Sequence, residues 1–130
     1  MDKNVSITNV VSSADLTDKE GFVVDFAGAL ITDKGTGCYG VIYGGQKAGI
    51  ANEIVYAGET EAYVEGVVAV NDPLTAGGGT VTDTDGDTYT GTFTKATYGD
   101  TSSDTYYPVR AYAMEAISTT TVSKIKVFLV

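Results

Sequence analysis

Apolar and polar residues alternate with a period of two over several short stretches. No apolar stripe is sustained at the 3.6-residue spacing of a helix. Val5-Ser6-Ile7-Thr8-Asn9-Val10 is the first such stretch and predicts a short strand. The polar run Ser12 to Glu20 that follows reads either as a loop or as a mobile arm. Phe22-Val23-Val24-Asp25-Phe26 predicts a second strand, with Phe22, Val24 and Phe26 on one face and a continuation past Gly28 towards Ile31. After the turn cluster Asp33 to Gly37, Cys38 to Tyr43 reads as a strand with Gly40 as a possible bulge. Ile50 to Tyr56 fits a strand or one helical turn, closed by Gly58-Glu59.

Glu61 to Val70 is the strongest strand candidate, with Gly66 marking a bulge or a close backbone approach. Asn71-Asp72-Pro73 ends it, and Gly77 to Gly79 reads as turn punctuation. The threonine-rich stretch from Thr80 to Thr97 carries an Asp-Gly signal at Asp85-Gly86 and predicts a hairpin from Val81 to Lys95. Gly99 to Thr105 is a solvated loop, and Tyr106 to Ile117 is a strand that could pass into a helical turn. Val122 to Val130 closes the chain as a strand. The pattern predicts an all-β fold, a small barrel or sandwich of about eight or nine short strands. Residues 1–20 form an N-terminal arm with a short strand, and 21–130 a single β-domain with a threonine-rich insert near 80–104.

Composition agrees. Valine, isoleucine and threonine make up almost a third of the 130 residues and leucine occurs four times, a bias that suits pleated surfaces and not helices. Histidine is absent and Cys38 is the single cysteine, which excludes internal disulfides, Cys/His zinc sites and Ser-His or Cys-His catalysis from this chain alone. Cys38 itself reads as a small buried hydrophobe. A net charge of −9 repels phosphate backbones, so no nucleic-acid partner is expected. No stretch is apolar enough for a membrane span, and the N-terminus lacks a secretory signal's apolar core, so synthesis in the cytoplasm is expected.

Few residue groups suggest chemistry. Asp83, Asp85 and Asp87 alternate as in calcium loops, but glycine at the fourth place and Thr94 at the twelfth break the EF-hand pattern, so a soluble acidic hairpin tip is the simpler reading. The glycine clusters at 35–37, 44–45 and 77–79 precede no helix and no lysine-hydroxyl pair of a phosphate loop. Glu59, Glu61 and Glu65 could supply a glycosidase's carboxylate pair, but a solvated strand edge explains them better. No catalytic residue, cofactor or metal is expected. The nine tyrosines carry more weight, because tyrosine is enriched at protein interfaces and on sugar-stacking surfaces. Tyr106 and Tyr107, beside the chain's one arginine, Arg110, form the candidate contact patch.

The order of segments resembles the small capsid decoration (cement, or auxiliary head) proteins of tailed bacteriophages. The resemblance is carried by Gly21 to Ile31, by Tyr39 to Tyr43 followed by Gly58 to Val68, and by Asn71-Asp72-Pro73-Leu74-Thr75. This last segment is similar to a "G-D-P-L" turn with asparagine in place of the usual glycine. Arg110 to Ile117 and Ile125 to Val130 resemble the terminal "R-A-x-E-A" and final apolar strands. The threonine-rich insert departs from shorter members. The resemblance implies a compact, non-enzymatic β-protein that binds the major capsid protein on the outside of the virion as a homo-oligomer, often a trimer. A carbohydrate-binding or adhesive β-module is the alternative, with the tyrosines and the threonine face as its platform.

Overall fold

The computed structural model describes residues 5–35, 37–96 and 108–130. Eight strands make up the fold: β1 (Ser6–Val11), β2 (Val23–Val24), β3 (Gly40–Gly44), β4 (Ala51–Glu65), β5 (Pro73–Thr82), β6 (Thr88–Lys95), β7 (Ala111–Ala113) and β8 (Ser123–Leu129). No helix occurs among the described residues, so the fold is all-β with the expected number of strands.

The organising element is β4. Its first half, Ala51 to Ala57, pairs antiparallel with β1 on one side and β3 on the other. Its second half, Gly58 to Val64, pairs antiparallel with β8, and Val64 and Glu65 run parallel to β6. The change of partners falls at Gly58, whose φ of 99° is open to glycine and strained for other residues. Gly58 therefore turns one strand from one sheet into the next instead of closing it, as strands do at the corners of sandwiches. From β4 the pairings run through β6, β5, β7 and β8 and return to β4. The β4–β6 and β5–β7 contacts are each two residue pairs long, so this circuit is not a closed barrel. The sheet is folded around its core, as in a sandwich.

Two apolar clusters result. The larger joins Val41 and Val55 to Val64, Leu74, Phe93, Val127 and Leu129, and the smaller joins Leu16, Phe22, Val24, Ile42 and Ile54. The sheet of β1, β3 and the first half of β4 lies between them, with Val41 and Val55 facing one cluster and Ile42 and Ile54 the other. Leu16 is buried, its N–H donates to the Gln46 carbonyl, and the Gly49 N–H donates to the Ser12 carbonyl. The polar run after β1 is thus a loop docked on the body.

Two further readings that involve glycines are overturned. Glu61 to Val70 is not one strand. β4 ends at Glu65, where Gly66 takes φ 85°, and Val68 continues only as an isolated bridge to Ile117. Gly77 to Gly79 lies inside β5 and does not form a turn. A Cβ at Gly79 would overlap the Glu65 carboxylate, and one at Gly77 would sit 2.7 Å from Glu65 Oε1 and 3.0 Å from Thr92 Oγ1. The missing side chains make room for Glu65, reaching across from β4.

The Asp-Gly hairpin forms as expected between β5 and β6. The solvated loop at 99–105 and the start of the Tyr106 strand lie outside the described residues; β7 begins at Ala111.

Candidate functional site

Of the three residues expected to form a contact patch, Tyr106 and Tyr107 lie outside the described residues. Arg110 is half-buried, donates its N–H to the Leu74 carbonyl and accepts from the Val130 N–H, which fixes it between β5 and the C-terminus. Its side chain interacts with the buried Cys38 thiol. Burial pushes that thiol up to about 11, only partly offset by the nearby guanidinium charge and its hydrogen bond. A protonated, enclosed thiol is a poor nucleophile, and Cys38 packs as a core residue.

The most prominent exposed feature is an aromatic ridge. Val24 ends β2, and Asp25 then starts a tight turn. Its carboxylate accepts the N–H groups of Ala27 and Ala29, and its carbonyl accepts the Gly28 N–H. This turn throws Phe26 outward, 65% exposed, instead of leaving it on the buried face with Phe22 and Val24. Tyr39, held by its N–H to the Val24 carbonyl, stacks on Phe26 with centroids 5.1 Å apart and planes 25° apart. Tyr56, exposed on β4, continues the row at 6.1 Å from Tyr39. The Asp-x-x-Gly spacing at Asp25 and Gly28 is the sequence signal for this turn, because type I turns favour aspartate first and glycine last. A smaller aromatic pair, Tyr112 and Phe128, stands exposed in direct register across β7 and β8.

The carboxylates are engaged structurally. Glu59 and Glu61 line a cleft of about 380 Å³ together with Glu20, Lys124 and Lys126. Glu59 lies 3.9 Å from the Lys126 ammonium, and Glu61 faces Lys126 across the β4–β8 ladder. Opposite charges alternate along this wall. Glu65 is set apart from the cleft, over the glycines of β5. At the hairpin tip, Asp83 Oδ1 accepts the N–H groups of both Asp85 and Asp87, so the alternating acids shape the turn. Among the described residues no group of three or more acidic, cysteine or histidine side chains is placed to hold a metal ion.

Three of the segments that carried the family resemblance, Asn71 to Thr75, Arg110 to Ile117 and Ile125 to Val130, meet in space. Asn71 adopts φ 75°, the left-handed conformation in which glycine is the usual residue. Its N–H donates to the Ala113 carbonyl, and the Ala113 N–H donates to the Asp72 carbonyl. Asp72 accepts the Ala69 N–H and lies 3.3 Å from the Lys95 ammonium. Glu115 accepts the Lys126 N–H at 2.7 Å, which ties the end of β7 to β8. The turn before β5 and the segment around β7 thus form one hydrogen-bonded node.

No protein-family model matches the chain, and no curated protein matches it.

Proposed function

We propose that this protein is a structural virion component that binds the outer surface of a tailed-phage head and stabilises its major-capsid lattice. The observation that carries the reading is the Phe26–Tyr39–Tyr56 ridge, in which the exposed rings of Phe26 and Tyr56 flank a half-buried Tyr39. Large aromatic side chains cost little conformational entropy to immobilise and dominate the energetics of protein contacts. The left-handed Asn71, standing where the resembled turn has glycine, supports the link to decoration proteins. The net charge of −9 suits the outer face, away from packaged DNA.

The ridge is less suited to sugars. Phe26 and Tyr39 stack on each other, so one face of each ring is already covered, which reduces the area a sugar could stack on. The test is sedimentation of the protein with empty heads that lack it. Saturable co-sedimentation is expected, and Phe26→Ser is expected to weaken it by about 30-fold, the loss of one hot-spot aromatic worth about 2 kcal/mol. Heads that sediment without the protein would overturn the reading, and retention on a glycan array would replace it with the adhesive one.

A further inference from the structure

We infer that the open edge of β1 is a self-association site, at which two copies pair antiparallel about a two-fold axis passing beside Asn9. Among the described residues, β1 pairs with β4 and with no other strand. In an antiparallel ladder alternate residues direct their N–H and C=O groups away from the partner. The Val10 carbonyl accepts from Asn52 Nδ2 on β4, which places Ile7, Asn9 and Val11 with their backbone groups on the open side. Among the described residues, no backbone hydrogen bond from a loop reaches them. The edge also lacks the usual protections, because Ser-Ile-Thr-Asn-Val-Val holds no charge, proline or glycine.

The occupant follows from the strand's own symmetry. The ladder to β4 is irregular between Ser6 and Ile7, and β1 ends at Val11, so the regular stretch runs from Ile7 to Val11 with Asn9 at its centre. A perpendicular two-fold axis preserves the faces of the joined sheet, so residues of like parity must oppose one another. Centred on Asn9, that rule sets Ile7 against Val11 of the second copy, and Val11 against its Ile7. These are the two apolar side chains of β1 left exposed, at 40% and 61%. Asn9 would face Asn9, and amides pair well with each other.

Charge permits the match despite an acidic chain. Along the β1–β4 ladder the carboxylate beside the axis is Glu53, opposite Asn9 on β4. Two such glutamates would stand three strand spacings apart, roughly 14 Å, which is beyond the screening length of about 8 Å at physiological salt. One short strand pair buries less than a standard interface, so the association is weak and concentration-dependent. The inference does not depend on binding to a capsid.

Asn9→Cys tests the register. Directly opposed residues in a hydrogen-bonded pair have Cα atoms about 5.5 Å apart, within disulfide reach. Under mild oxidant this variant is expected to form covalent dimers, since the native Cys38 is buried. Val11→Cys serves as the control, because the two copies of that position are offset by about 14 Å along the strands and should cross-link at least tenfold more slowly. Analytical ultracentrifugation up to about 1 mM protein should show a reversible monomer–dimer equilibrium, the range where weak contacts register. Asn9→Pro, which removes an outward N–H and spares the β4 ladder, should weaken it at least tenfold with the melting temperature retained. A monomer throughout, equal cross-linking at both positions, or a dimer indifferent to Asn9→Pro would each overturn the inference.

Discussion

At the residue scale, the left-handed turn at Asn71 and the buried thiol of Cys38 each make a measurable claim. Asparagine tolerates φ 75° better than other residues with a Cβ, and glycine tolerates it best. Asn71→Gly should therefore leave the stability to urea within about 0.5 kcal/mol, while Asn71→Ala should cost about 1 kcal/mol. Equal costs would mean that the side chain, and not the backbone, matters there. For Cys38, burial raises the thiol to about 11 from an ordinary 9.0. The unfolded chain then loses its proton first as pH rises, so the stability due to this group is full below pH 9 and declines as pH approaches 11. The decline amounts to about 2–3 kcal/mol for a shift of that size. Cys38→Ala should flatten this part of the pH–stability profile, and the difference between the two proteins isolates the thiol's contribution.

At the element scale, what glycine does in this fold depends on neighbours that local sequence does not reveal. β1, the β5–β6 hairpin and β8 were legible because their alternation matches a half-buried face, and Asp85-Gly86 supplied the turn. The length of β4 was not, because Gly58 reads as a terminator until β8 and β1 are known to share the strand. The triple glycine reads as a turn for a related reason, since the side chain that fills its space, Glu65, belongs to another strand. The aromatic ridge was hidden by alternation itself. Phe22, Val24 and Phe26 share a parity, but Asp25 ends the strand before Phe26 can use it.

Close approach also ranks two substitutions. A Cβ at Gly40 would collide with the Val55 carbonyl, a backbone atom of the central strand, whereas one at Gly79 would collide with the mobile end of Glu65. Gly40→Ala should cost about 3 kcal/mol or more and Gly79→Ala about 1 kcal/mol. Glu65→Ala should rescue much of the second loss in a double-mutant cycle and none of the first.

At the scale of the whole molecule, the acidic surplus opposes the compact state. Seventeen acidic groups face eight basic ones, and pairs such as Lys95–Asp72 at 3.3 Å offset only part of the repulsion. Salt acts on both contributions. It weakens each exposed pair, which contributes at most about 1 kcal/mol, and it screens repulsion summed over the whole surface. With net charge −9 the second effect should dominate. Raising sodium chloride from about 10 mM to about 500 mM shortens the screening length from about 30 Å to a few ångströms, and should raise unfolding stability by on the order of 1 kcal/mol. Thermal melts at the two salt concentrations at neutral pH would check this, and a fall in melting temperature would mean that the ion pairs along β4 and β8 outweigh the net charge. The same screening should strengthen contact between two copies along β1, where no charge of either copy takes part in the strand pair itself. Salt that stabilised the fold but weakened the dimer would then place the contact elsewhere, on a charged face.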